Sequence, residues 1–240
     1  NERFDPGKTN TIFTSDPGSR RVITQGNALT TIGINGDNGF LPQDITVTTR
    51  DPETGNVTQE SVDITSPNTS AREIADKLGN ASGVKTTAYT ETRLTGFNVD
   101  DAELEVKVGG ETSTLNIAGS LDADSLEQAI EDSDSFAALD LSVINDGNGV
   151  TLRDDTGRDI TVDLVNGAGG QQLEVEKINP YDESVASDAP LTVMGNELTV
   201  GGVIDAELAE GVRLSANNGN VLNSAPVSET NYKGFQFEIS

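Results

Sequence analysis

The chain contains no cysteine, no histidine and no tryptophan, and only 4% of its 240 residues are aromatic. Without Cys there are no disulfides, iron–sulfur clusters or thiolate zinc sites. Without His, the commonest general base and the commonest metal ligand are both missing. Neither a Ser–His–Asp nor a Cys–His arrangement can be assembled within this chain. Positive charge is scarce: 15 Lys+Arg stand against 40 Asp+Glu, a formal net charge of −25. Such a balance repels phosphate backbones and anionic headgroups, so neither nucleic acid nor a membrane surface is an expected partner. Long apolar runs are missing too. No run approaches the about 20 residues that span a bilayer, and no signal-peptide pattern opens the sequence.

What remains is rich in Gly, Thr, Val, Asp and Asn, the texture of short strands and tight turns. Hydrophobic residues make up 34% of the chain, enough for a thin core of Val, Ile, Leu and Ala. A pattern recurs twice: β-like runs, a short capped amphipathic helix, then further β-like runs. The first copy spans Gln43–Val99 and the second Ala102–Leu164. In the first, Ile45–Thr48 and Val57–Ile64 alternate apolar and polar around an Asp51–Asn56 hairpin loop. Ser70-Ala71-Arg72-Glu73 has the form of a capping box. Ala71, Ile74, Ala75 and Leu78 make one helical stripe, with Gly79 placed as a left-handed C-cap. Val84–Tyr89 and Thr92–Val99 then read as a strand pair.

In the second copy, Leu104, Val106 and Val108 alternate toward a Gly109-Gly110 hairpin turn, and Thr114–Ile117 returns. Asp124-Ser125-Leu126-Glu127 is an acidic capping box, with Leu126, Ala129 and Ile130 as the buried stripe. Leu139–Ile144 and Val150–Leu152 flank the Asn145–Gly149 loop, and Ile160–Leu164 follows an Asp155-Thr156-Gly157 turn. Outside the copies, Arg21–Thr24 and Ala28–Ile34 read as strands. So do Leu173–Val175, Leu191–Val193, Leu198–Val200, Val212–Leu214 and Phe235–Phe237, while Tyr181–Ala189 reads as a linker. The expected fold is α+β and predominantly β: tandem antiparallel-sheet modules, each with one short helix, plus a β-rich segment. The divisions are a lead-in at 1–42, a first ββαββ-like module at 43–100 and a second at 101–170. A β-rich segment at 171–240 returns to the first part of the chain.

Three acidic clusters have calcium-like composition: Asn35/Asp37/Asn38, Asn145/Asp146/Asn148 and Asp154/Asp155/Asp159. None has the glycine and closing glutamate of an EF-hand loop, and Asn or Asp beside Gly is what a tight hairpin needs. The Gly-Gly pairs lie in no phosphate-binding pattern. Among so many carboxylates, chance pairs carry no information about glycoside hydrolysis. No catalytic, cofactor-binding or metal-ligating residue is assigned, no cofactor is expected, and the chain does not read as an enzyme.

The string Thr69–Asn80 followed by Gly83-Val84-Lys85-Thr86-Thr87-Ala88-Tyr89 resembles a module of bacterial flagellar axial proteins. Asp124–Ser142 is a second match that lacks the Gly-Val after its helix. Arg3-Phe4-Asp5-Pro6 resembles the Phe-Asp-Pro entry into the outer domains of flagellar hook proteins. Tyr232–Ser240 is similar to a strand found late in hook and hook-associated proteins. The resemblance implies surface-exposed structural domains of a hook-type protein, extracellular and exported without a cleavable signal. They would contact other copies weakly within a bending tubular assembly. The ends of the chain read as those of an internal fragment, expected to be a monomer in isolation. Hook-associated protein and flagellin variable domains share these modules. A different class is an adhesin-like binding module, with or without bound calcium, for which Phe40, Phe97 and Tyr181 are the residues to inspect.

Overall fold

The computed structural model describes residues 20–217 apart from 25, 52 and 194. The Phe4-Asp5-Pro6 and Tyr232–Ser240 motifs and the Phe235–Phe237 strand lie outside them. The described residues form a mostly β, α+β architecture of antiparallel sheets, as the composition implies. Strand β1 (Arg20–Ile23), helix α1 (Asn27–Thr30) and strand β2 (Ile32–Ile34) lead in. The expected single strand Ala28–Ile34 is therefore divided, with Ala28 in a helical turn and only its second half extended.

The first copy begins with the hairpin of β3 (Gln43–Arg50) and β4 (Val57–Ile64). Its loop is held by Asp51, whose Oδ1 accepts from the amides of Glu53 and Thr54, both at 2.8 Å. These bonds favour the ionised carboxyl and hold its pKa below the ordinary value. Helix α2 (Ala71–Gly79) follows, with Ser70 Oγ accepting from Glu73 N. All four stripe residues are buried: Ala71, Ile74, Ala75 and Leu78. The helix runs through Gly79, and Asn80 caps it in a right-handed conformation. The left-handed residue is Gly83, at φ 77°. The turn therefore tightens one helical turn later than the glycine pattern suggests.

Next comes β5, Val84–Asn98, a single strand of 15 residues rather than a pair. Thr90 and Thr92 sit at inward positions of one unbroken alternation with Ala88 and Leu94. Polar residues in the core-facing register are what made the strand look interrupted. It bends at Gly96 (φ 58°), where its register with a later strand shifts.

The second copy repeats the order with β6 (Asp100–Val108), β7 (Glu111–Ser120) and α3 (Ala123–Glu131). A helical turn α4 (Asp134–Ala137) and strands β8 (Ser142–Asn145), β9 (Val150–Asp154) and β10 (Ile160–Val165) complete it. The cap of α3 lies two residues earlier than the sequence suggests. Asp122 accepts from Ser125 N, and Ser125 Oγ bonds back to Asp122 N, each at 2.8 Å. The stripe is Ala123, Leu126 and Ile130, and Ala129 is only half-buried. The strand expected from Leu139 starts at Ser142, because α4 draws Leu139 into the core as its first residue beyond the cap.

After β10, β11 (Gln172–Ile178) and β12 (Val185–Thr192) form a hairpin over the stretch read as a linker. Then come β13 (Leu198–Val200), β14 (Val203–Leu208) and β15 (Val212–Ala216). The pairings reveal a nested duplication. In the second copy, β8 and β9 pair, α3 packs against both, and β10 returns beside β6. In the first, β5 pairs with β14, α2 packs against both, and β15 returns beside β3. The two halves of the first copy are thus separated by the whole second copy, inserted between β5 and β14. Strand β5 also pairs with β9 and β11, joining the copies in one sheet.

Each copy has its own core. Ile45, Ile64, Ile74, Leu78 and Ile204 belong to one; Leu104, Val106, Leu126, Leu152 and Val162 belong to the other. Ile74→Ala and Leu126→Ala each remove a fully buried side chain and are expected to cost about 2–5 kcal/mol in urea unfolding. Their effects should add to within about 0.5 kcal/mol, as for independent sites. Strong non-additivity would mean one continuous core.

Candidate functional site

Among the described residues, buried polar groups concentrate where the β9–β10 loop of the second copy meets the start of α2 in the first. Asp154, only 1% exposed, anchors that loop. Its carboxylate accepts from Arg158 N at 2.6 Å, from Arg158 Nη2 at 3.0 Å and from Thr156 Oγ1 at 2.9 Å. Arg158 Nη2 also donates to the Leu139 carbonyl at 2.8 Å. The loop so fixed presents the Gly157 carbonyl to the backbone amide of Arg72 at 3.0 Å. Arg72 N is one of the amides that a helix start leaves without an intrahelical partner, so the second copy completes the cap of the first.

Asp159 follows. Its Oδ2 accepts from Asn38 Nδ2 at 2.8 Å. Asn38 is fully buried; its amide also donates to the Thr69 carbonyl, and its Oδ1 accepts from Phe40 N at 2.9 Å. Burial pushes the Asp159 carboxyl up to about 6, an effect that Asn38 and the charge of Lys177 partly offset. Lys177 is 1% exposed and donates from Nζ to the Ala28 carbonyl at 2.7 Å. Burial pulls its ammonium down to about 8, and Asp159 partly opposes that shift. Asp159 Oδ1 and the Thr90 hydroxyl have no hydrogen-bond partner among the described residues. The two groups are held by separate partners, Asp159 by the Asn38 side chain and Lys177 by backbone, and they act on each other through charge without a direct hydrogen bond.

The calcium-like clusters separate. Asp155 pairs outward with Arg153 at 2.6 Å, Asp154 turns inward to Arg158, and Asp159 joins Asn38 from another cluster. Asp37 and Asn38 accept from the amides of Gly39 and Phe40, and Asn145 and Asp146 from those of Gly147, Asn148 and Gly149. These are turn-forming bonds. Among the described residues, no group of three or more acidic side chains is placed to hold a metal ion. Of the aromatic residues singled out, Phe40 is fully buried and Phe97 packs against the second core. Tyr181 is half-buried, with its hydroxyl directed at the carbonyls of Ile23 and Thr24.

Lys177 was not singled out from the sequence, although a signal was there. It follows Leu173 and Val175 at period two, the inward register of β11. No protein-family model matches the chain, and no curated protein matches it.

Two predictions follow from the cluster's physics. The raised pKa of Asp159 stabilises the fold below the unfolded value near 3.8, and that stability is lost as pH rises through about 6. Asp159→Asn mimics the neutral acid, so wild type should lose about 2–3 kcal/mol relative to it between pH 3.5 and 7.5 in urea unfolding. The depressed pKa of Lys177 works in the other window. Stability should climb between about pH 8 and 10.5, and Lys177→Met should flatten that climb. An unchanged pH profile in both variants would contradict the ionisation described. Separately, a Cβ at Gly157 (φ 78°) would collide with that of Ala88. Gly157→Ala should therefore destabilise by more than about 1 kcal/mol, read as a lowered urea midpoint.

Proposed function

We propose that the chain is a structural module: surface-exposed domains of a hook-type flagellar axial protein, held outside the cell and making weak contacts with other copies in a bending tube. The observation that carries this reading is the nested duplication. The described residues are built largely around two interlocked copies of one sheet-and-helix unit, and a buried polar cluster joins them. The flagellar part rests on the resemblance of Thr69–Tyr89, the segment that forms α2, the turn at Gly83 and the start of β5. Shallow polar contacts suit a bending joint, since subunits must shift past one another without losing the assembly.

The test is immunogold electron microscopy of the source cells, using antibodies raised against the 240-residue chain. Gold on the curved segment at the base of the flagella is expected. Gold over the cell wall, with none on the flagella, would replace the reading with the adhesin. Thermal melting in millimolar calcium gives an independent check. The structural reading expects an unmoved Tm, and a rise of several degrees would favour a calcium-dependent binding module.

A further inference from the structure

Strand β7 ends its sheet, whose order is β2-β13-β10-β6-β7. Among the described strands that end a sheet, it is also the least protected. Strand β12 carries Asp188 and Pro190, and β4 carries Glu60 and Asp63. Strand β2 has 3 residues, β1 and β8 have 4 each, and β15 has 5 with Arg213 among them. Strand β7 has 10, and from Thr112 to Ser120 it contains neither proline nor charge. Proteins ordinarily blunt such an edge, because its row of free amides and carbonyls is a template for another strand.

The register shows which groups are free. Gly109 and Gly110, at φ 58° and 94°, form a two-residue turn closed by the pair Val108↔Glu111. The residues closing such a turn exchange both hydrogen bonds, and bonded and non-bonded pairs then alternate. Thr112, Thr114 and Asn116 therefore aim their backbone N–H and C=O away from β6, out of the sheet.

A hollow of about 460 Å³ runs along this edge. One wall is formed by the consecutive residues Thr114 to Ala118. Successive side chains of a strand point to opposite faces, so a consecutive run lines a hollow only along the backbone edge. The other wall is the flank of α3 and its cap, with Ser125, Gln128, Ala129 and Asp132 at i, i+3, i+4 and i+7. An open edge strand beside a helix is the frame in which an extended peptide docks by strand addition. Every charged residue between Val108 and Leu152 is acidic. Asp122, Asp124, Glu131 and Asp132 stand on or beside α3.

We propose that this groove is a docking site for an extended, basic peptide segment that adds as a strand to β7. Its main chain pairs with Thr112, Thr114 and Asn116, and its Lys or Arg side chains meet the acidic helix end. Charge selects this occupant over a second copy, which would set like charge against like across the joint. The site stands apart from the hook reading and does not depend on it.

The experiment is an NMR titration of the isotope-labelled 240-residue chain. The probe is a blocked heptapeptide, Lys-Val-Lys-Thr-Lys-Val-Lys, and the control has Glu in place of each Lys. Expected are saturable amide shifts at Thr112, Thr114 and Asn116 and along α3, with the acidic peptide binding at least tenfold more weakly. Thr114→Pro removes an N–H that faces away from β6 and should abolish the shifts. If that variant loses its native circular dichroism, Gln128→Lys with Asp132→Lys on the helix wall should weaken binding at least fivefold. Three results would overturn the proposal. They are non-saturating shifts scattered over the surface, an equal response to both peptides, or binding unaltered in the folded variant. A peptide-independent doubling of mass with β7 perturbed would also overturn it, by giving the edge to a second copy.

Discussion

The continuity of β5 is the constraint on which the rest depends. Its first half places Val84 and Ala88 in one core, and its second half places Leu94 in the other. Three strands from distant parts of the chain hydrogen-bond to it: β14, β9 and β11. Because the second copy interrupts the first, the pair Val84↔Leu208 spans 208 − 84 = 124 residues. Loop-closure entropy grows only logarithmically, about 0.6 kcal/mol per doubling, so the interruption weakens the first copy little at equilibrium. Its main effect is on rate and order. The second copy draws its pairings from a contiguous stretch, whereas the first cannot close its core until β14 comes back. Once folded, the second copy and the β11–β12 hairpin shorten the span that β14 must cross.

The junction then has to fix how the two copies sit. Two apolar cores meeting across a shared strand would leave that relation loosely specified, since hydrophobic contact is non-directional. Directional bonds supply what burial does not: Gly157 to Arg72, Asp159 to Asn38 and Lys177 to Ala28 each have one geometry that satisfies them. The cost is visible in the opposed shifts of Asp159 and Lys177, both driven first by burial. Buried charged groups contribute little net stability against well-packed apolar side chains of the same shape. What Asp159 and Lys177 add at this seam is direction, each through its own hydrogen bond.

Most elements were legible because their signals are local. Alternation located β3, β4, β6 and β10, the i, i+3, i+4, i+7 stripe located α2, and the Gly109-Gly110 pair located its hairpin. The elements that local pattern misplaces have physical causes. Thr90 and Thr92 are polar residues in core positions, so one strand looked like two. Asp122 competes with Asp124 as a cap, and only the geometry of Ser125 decides between them. Pro190 and the polar stretch before it disguised β12, although an edge strand tolerates both. The nesting could not be read at all, because strand pairing is non-local and a period-two pattern names no partner. The same is true of the seam: Asn38, Asp159 and Lys177 are brought together from three separate loops and strands. Composition placed Asn38 and Asp159 in two separate acidic clusters and parity marked Lys177 as inward, but nothing local joined the three.

Charge completes the account. With so large an acidic excess, repulsion acts across the whole surface, and the few cations matter for where they stand. Arg93 on β5 reaches Asp146 at 2.7 Å and Glu176 at 3.2 Å, linking the β8–β9 loop to β11. Arg153 on β9 lies over the Tyr89 ring at 4.4 Å and meets Glu91 at 2.9 Å. Arg21 holds β1 to Asp205 of β14, and Lys107 ties β6 to Glu197 beside β13. Singly, such partly exposed pairs are worth about 0–1 kcal/mol. Their placement is the informative part, because each bridges strands that are far apart in sequence. These are the joints where unrelieved acidic repulsion would first separate the sheets. Apart from Asp154 and Asp159, most of the other carboxylates among the described residues are exposed, and repulsion among them is screened beyond about 10 Å at 0.1 M salt. The acidic coat therefore leaves the internal joints of the fold intact.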